Sequence, residues 1–256
     1  MSLFVDGTIS QIPELTEFES SLADVAATES IDLSAKLNVA KLELSLEIQK
    51  FLLQQQPEST SGFDVGSPIG IQNVVVTEAL KQWHALQAIA ATYRDAYNQQ
   101  LNDRYKGKFT EYATLAARAA EVAFSIGIGI SNRPIAKPDK PIVTQTVGTH
   151  LAGTWYVATS WISQQGVEGS PSNPAVLTIG DGSSLKVAVT RPPENVAGWN
   201  VYLGLSDIDL HRQNDTPLQP ANEWLLPNSI VKTQFAPTNG QVADYYLRKR
   251  NLLRRG

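Results

Sequence analysis

The sequence predicts an α+β fold: an N-terminal bundle of long antiparallel helices, then a small β-sandwich and an extended basic C-terminal tail. Three observations predict it. Between Val76 and Tyr105 apolar residues recur in steps of three and four, a helical period held well beyond the ~10–14 residues of an average helix. From Gly153 the period changes to two, in short aromatic and β-branched runs. Between these halves stand Pro134, Pro138 and Pro141, which stop a helix and stiffen an extended connection. The expected division is a helical domain at 1–133, a proline-rich linker at 134–152, a sandwich at 153–235 and a tail at 236–256.

In chain order, Ile12-Pro13-Glu14-Leu15 reads as a helix start, and Leu15, Phe18, Leu22 and Val25 give it a short stripe. A stronger stripe follows in Leu33, Leu37, Ala40, Leu44, Ile48 and Phe51, with Asp32 or Ser34 to cap it. Leu42, Leu46 and Leu53 widen this stripe, which predicts a helix buried on more than one side. Residues 56–72 form a Gly-, Ser- and Pro-rich loop. The stretch Val74–Ile130 reads as the packing centre: a long helix, an interruption at Gly107 and a second helix folded back on the first, ended by Gly127. Strands are expected at 155–162, 175–179, 185–190, 199–203 and around Trp224, with Trp155 or Trp161 and Trp199 in the core. The Asp181-Gly182-Ser183 run reads as a hairpin turn.

Composition excludes several function classes. A hydrophobic share of 42% is enough for real cores, so a disordered chain is not expected. A net charge of −4 is the wrong sign for binding driven by phosphate neutralisation. The chain contains no cysteine, which removes disulfides, thiolate catalysis and Cys-ligated zinc. The most apolar window, Ala116–Ile130, is broken by Arg118 and Glu121, so no membrane span is expected. Charge is uneven along the chain: residues 1–35 hold seven acids and no base, whereas Arg248, Lys249, Arg250, Arg254 and Arg255 crowd the end. Two solvated ends would look like this, and so would complementary surfaces on neighbouring subunits.

No catalytic constellation emerges, and the chain is not expected to be an enzyme or to hold a metal or cofactor. His84, His150 and His211 are scattered one per region, and His84 beside Trp83 reads as a satisfied core or surface histidine. Gly127-Ile-Gly-Ile lacks the third glycine of a dinucleotide fingerprint and follows a helix. Ser160 and Ser163 show no nearby base and no nucleophile elbow. Residues with the character of a contact surface are Asn102, Asp103, Arg104, Tyr105, Lys106 and Lys108 in the inter-helix turn. In the tail they are Tyr245 and Tyr246 with the basic residues Arg248, Lys249, Arg250, Arg254 and Arg255.

Two segments carry a resemblance. Asp95–Phe109, with Tyr112 and the alanine-rich helix up to Gly127-Ile-Gly-Ile, resembles the head-to-tail connector (adaptor) proteins of tailed bacteriophages. Gly153–Ile162, the turn Gly166–Ser172 and Gly198-Trp-Asn-Val-Tyr-Leu-Gly204 look like an immunoglobulin- or fibronectin-type module, similar to those appended to phage head and tail proteins. The similar parts cover roughly residues 31–130 and 153–205. The resemblance implies a virion protein made in the host cytoplasm. Its helical domain would form a homo-oligomeric ring, a dodecamer, seated under the portal protein and receiving the tail nozzle, tube or fibre proteins. Genomic DNA would pass through the channel without sequence-specific binding. A different reading makes it a tail-associated protein whose sandwich contacts tail fibres or host-surface glycan, with Trp155, Trp161 and Trp224 as the sugar platform.

Overall fold

The computed structural model describes residues 2–55, 69–100, 103–228, 230 and 235–249. Among these residues the chain is α+β, with five helices and three antiparallel sheets. It divides into two compact units, a helical one of Gly7–Asn132 with the chain from Ala243 on, and a strand unit of Arg133–Val242 with the residues up to Asp6.

In the helical unit, α1 (Ile12–Phe18) and α2 (Leu22–Thr28) replace the single helix expected from the Leu15–Val25 stripe. The break falls at Glu19–Ser21, where the Glu19 carboxylate accepts from both the Ser21 hydroxyl and its N–H. Such side-chain competition for backbone donors ends helices. The next helix, α3 (Leu33–Gln55), starts as expected, with the Ser34 N–H donating to Asp32 Oδ1 at 2.8 Å. Its predicted stripe from Leu33 to Phe51 is buried throughout. Leu42, Leu46 and Leu53 are not: they are 66%, 67% and 69% exposed.

After β1 (Val74–Val75), α4 (Glu78–Gln100) is the central element. Small side chains at Ala85, Ala88, Ala91 and Ala96 join Leu80, Trp83, Ile89 and Tyr93 in burial, so α4 is enclosed around most of its circumference rather than along one stripe. The returning helix, α5 (Lys106–Ile126), runs antiparallel to it. Trp83, near the start of α4, meets Phe124, near the end of α5, at 5.4 Å between ring centroids, and Tyr93 stacks on Tyr112 at 5.8 Å. Gly107 does not make the interruption. A 3₁₀ turn at Asp103–Tyr105 does, and Gly107 lies in the first turn of α5 with open space around its Cα. Gly127 ends α5 with φ of +113°, after which β2 (Ile128–Ile130) pairs antiparallel with β1. Alanine at these two glycines is expected to act oppositely in urea unfolding. Gly107→Ala gains about 0.5–1 kcal/mol from a stiffer unfolded chain. Gly127→Ala loses about 1–3 kcal/mol, because its Cβ would come within 2.9 Å of Tyr246 Cβ at a backbone angle alanine resists.

The strand unit has two sheets around one core. The first contains β3 (Ile142–His150), and the second contains β4 (Gly153–Ser163) and β5 (Ala175–Ile179). After these come β6 (Ser183–Ala188), β7 (Val196–Gly204), β8 (His211–Arg212) and β9 (Trp224–Leu225). The strand orders are β3-β6-β9 and β5-β4-β7-β8. Trp155, Val157 and Trp161 of β4, Trp199, Val201 and Leu203 of β7, and Leu185 and Val187 of β6 share one buried cluster. Two sequence expectations are corrected. Residues 134–152 are not all linker, because 142–150 is a full strand. It lies at a sheet edge with neither face fully buried, so its sequence lacks the clean alternation that reveals strands. Asp181-Gly182-Ser183 is not a hairpin: β5 and β6 lie in different sheets, and the Gly182 N–H donates to His150 O at 2.9 Å instead.

The chain then returns to the helical unit, where β10 (Tyr245–Leu247) pairs with β2 opposite β1. The helical unit is therefore a bundle with a small sheet, not a bundle alone. Within the expected docking tail, Tyr245–Leu247 is a strand of that sheet.

Candidate functional site

The contact residues expected from sequence fall into three groups: some exposed, some built into the helical unit, and some outside the described residues. Asn102, Arg250, Arg254 and Arg255 are in the last group.

Tyr105 is buried, and its hydroxyl donates to Glu29 at 2.9 Å. That hydrogen bond, with burial, raises the pKa of the phenol above its ordinary value. Lys108 Nζ reaches Glu19 at 2.7 Å, over the Tyr112 ring, and this pairing raises the pKa of the ammonium. Tyr112 donates to the same carboxylate at 2.9 Å, and the Ser21 hydroxyl does so at 2.7 Å. Burial alone would push the Glu19 carboxyl up. The hydrogen bonds from Lys108, Ser21 and Tyr112 overcome it and hold the group at about 2. Burial and the same carboxylate raise the Tyr112 hydroxyl.

Two expectations are thus corrected: Tyr105 is buried and fastens the inter-helix turn to the N-terminal helices instead of facing a partner, whereas Lys108 pairs with Glu19 and keeps its side chain 45% exposed. Glu19 and Glu29 of the acidic N-terminal run are buried partners of that turn rather than solvated surface. The sequence could not show this, because nothing local separates them from Glu14 or Glu17. The one available signal was Tyr105, Lys108 and Tyr112 spaced three and four apart, which puts them on one helix face.

What the turn leaves outward is polar. Asp103 and Lys106 are exposed and form a loose pair at 3.8 Å, and the Arg104 guanidinium lies over the Tyr105 ring at 5.3 Å. From there an open groove of about 620 Å³ runs along α5, past Thr110, Glu111, Thr114 and Arg118. Its lining mixes charged and hydroxyl groups with Gly107, Leu115 and the aliphatic stems of the longer side chains.

At the other end of the same helix pair, Tyr245 is half-buried and Tyr246 is exposed on β10. Arg248 Nε donates to the Ile126 carbonyl at 3.0 Å, and the Lys249 N–H donates to Phe124 O at 3.2 Å. These bonds satisfy carbonyls left unpaired at the end of α5. The described tail residues therefore stabilise the helix terminus, and a chain truncated before Tyr245 loses a strand as well as charge.

The remaining polar features are enclosed. His84 is buried, with Nε2 donating to Leu37 O at 2.9 Å, and burial lowers its pKa, which fits the core-histidine reading. Ser160 does have a carboxylate partner, contrary to the sequence reading. Glu168 accepts from the hydroxyls of Ser160 and Tyr202 and from Asn200 Nδ2. Ser160, Asn200 and Tyr202 are all buried, and all three donate to Glu168 Oε1, so the cluster pins the 164–172 loop to β4 and β7. The tryptophans expected to form a sugar platform, Trp155, Trp161 and Trp224, are all in the core, so they present no such platform.

Among the described residues no three His, Asp or Glu side chains are grouped as metal ligands, and no helix is long and apolar enough to cross a membrane. No family model matches the chain, and no curated protein matches it.

Proposed function

We propose that the chain is a structural subunit of a head-to-tail adaptor in a tailed bacteriophage. Copies of its helical unit would form a ring, a dodecamer, between portal and tail machinery, with DNA passing through the channel and no chemistry performed on it. The observation that carries this reading is the rigid turn at Asp103–Lys108. Two buried carboxylates, Glu19 and Glu29, hold Lys108 and the buried Tyr105, while Asp103, Arg104 and Lys106 stand outward beside the α5 groove. A preorganised polar edge of this kind loses little entropy on docking to a large partner. The similarity of Asp95–Phe109 to phage connectors supports the same reading. We also read the strand unit as a small sandwich of immunoglobulin or fibronectin type. Its two sheets share one tryptophan-rich core, with Trp161 and Trp199 directly opposite on neighbouring strands.

The test is electron microscopy of the purified protein alone and mixed with a portal ring. A ring that stacks coaxially on the portal is the expected result, and Asp103→Lys with Lys106→Glu should weaken stacking without changing the circular dichroism. A protein that stays monomeric and never associates with a portal contradicts the proposal.

A further inference from the structure

The side of α3 turned away from the helical core has its own order. Ala35, Val39, Leu42, Leu46, Gln49 and Leu53 follow one another in steps of four, three, four, three and four. Those steps form a heptad seam, the spacing by which one helix packs along another. The seam lies diametrically opposite the buried Leu33–Phe51 stripe, since the two sets differ by about half a turn at 100° per residue. Its three leucines are about two-thirds exposed, the largest apolar exposure on any helix among the described residues. A helix apolar on opposite faces is fitted to be enclosed on both; the described residues of the helical unit cover one, and on the other Ile69–Gln72 border an open groove beside Gln49 and Leu53.

We propose that a second copy of this chain docks a helix along this seam of α3. The spacing fits a helix as occupant. The seam contains no charged residue, so it offers nothing to attract an oppositely charged foreign partner, and a second copy meets no like-charge repulsion there. Its single polar member, Gln49, carries both amide donors and a carbonyl acceptor and is therefore complementary to itself. From Ala35 to Leu53 the seam is about 27 Å long. Two helices packed over that length bury on the order of 1,000 Å², the lower bound for a specific interface between folded proteins. The contact needs only that copies of this chain meet, so it stands apart from the adaptor reading.

The experiment is analytical ultracentrifugation of the full chain and two variants, across micromolar to submillimolar concentrations. Leu42→Lys/Leu46→Lys places charge in the seam, and Leu42→Ala/Leu46→Ala removes apolar area without adding charge. Both pairs of side chains are exposed in the single chain, so helical circular dichroism should be unchanged. The wild type is expected to self-associate, with the lysine pair raising its dissociation constant at least a hundredfold and the alanine pair about tenfold or more. Val122→Lys on α5 serves as a control for added charge. Association in the wild type that persists in both α3 variants overturns the seam but leaves a ring possible through another face. A discrete dimer abolished by them supports the seam and counts against the ring. A wild type monomeric at every concentration overturns the seam.

Discussion

Trp199→Ala is expected to unfold the strand unit at temperatures where the wild type is fully folded. Trp199 has no exposed surface, lies opposite Trp161 across β4 and β7, and donates its indole N–H to Gln219 O at 3.0 Å. Truncation removes one of the cluster's four tryptophans and leaves a cavity that neighbouring strands cannot close without breaking their ladder. It also removes one of two hydrogen bonds to the Gln219 carbonyl, which keeps the one from the Asn222 N–H. Large-to-small changes at such sites cost about 3–5 kcal/mol, and a domain of this size has only about 5–15 kcal/mol in total. Far-ultraviolet circular dichroism should retain the helical signal while near-ultraviolet and fluorescence signals from Trp155, Trp161 and Trp224 lose their native character. Trp224→Phe, near the edge of the same cluster, should cost about 1–2 kcal/mol and serves as a graded control. A Trp199→Ala protein whose fluorescence midpoint in urea shifts by less than about 1 kcal/mol would show that this core is not what holds the two sheets.

The same cluster shows what sequence alone could disclose. Large aromatic residues at period two in Trp155–Ile162 and at Trp199–Leu203 have few places to go but a two-sided core, and both runs are strands where expected. Ala175–Ile179 matches to the residue. What escaped notice was either weakly buried or dependent on distant partners. The β3 edge strand carries little burial, and β1, β2 and β10 are two or three residues long and exist only because 128–130 lies between segments more than fifty and a hundred residues away. The Asp181–Ser183 turn has hairpin chemistry, yet the choice between pairing neighbours and crossing to the other sheet is made by the shared core, not by the turn. On α3, Leu42, Leu46 and Leu53 read as a widening of the buried stripe yet stand exposed on the opposite side, because a sequence cannot say which face its own chain covers.

The buried carboxylate at Glu19 was the least legible part of the candidate site, and it carries the second large effect. Glu19→Gln is expected to lower stability at pH 7 by about 2–4 kcal/mol, because Lys108 loses its charged partner and the amide cannot accept from three donors at once. The pH dependence gives an independent check. The folded-state pKa is about 2, against an ordinary value of 4.5, so the unfolded chain takes up the proton first as pH falls. Stability from this group is therefore complete above about pH 4.5 and is lost progressively from there down to about pH 2. A depression of that size corresponds to at most about 3 kcal/mol. Urea midpoints at pH 7, 4.5, 3.5 and 2.5 should fall more steeply for the wild type than for Glu19→Gln, whose curve lacks this component. Glu17→Gln, exposed two residues earlier, should follow the wild type at every pH. Tyr112→Phe should cost about 1–1.5 kcal/mol and reduce the slope in part. Parallel slopes for wild type and Glu19→Gln would mean that the carboxylate is solvated and that something other than Glu19 fixes the Asp103–Lys108 turn.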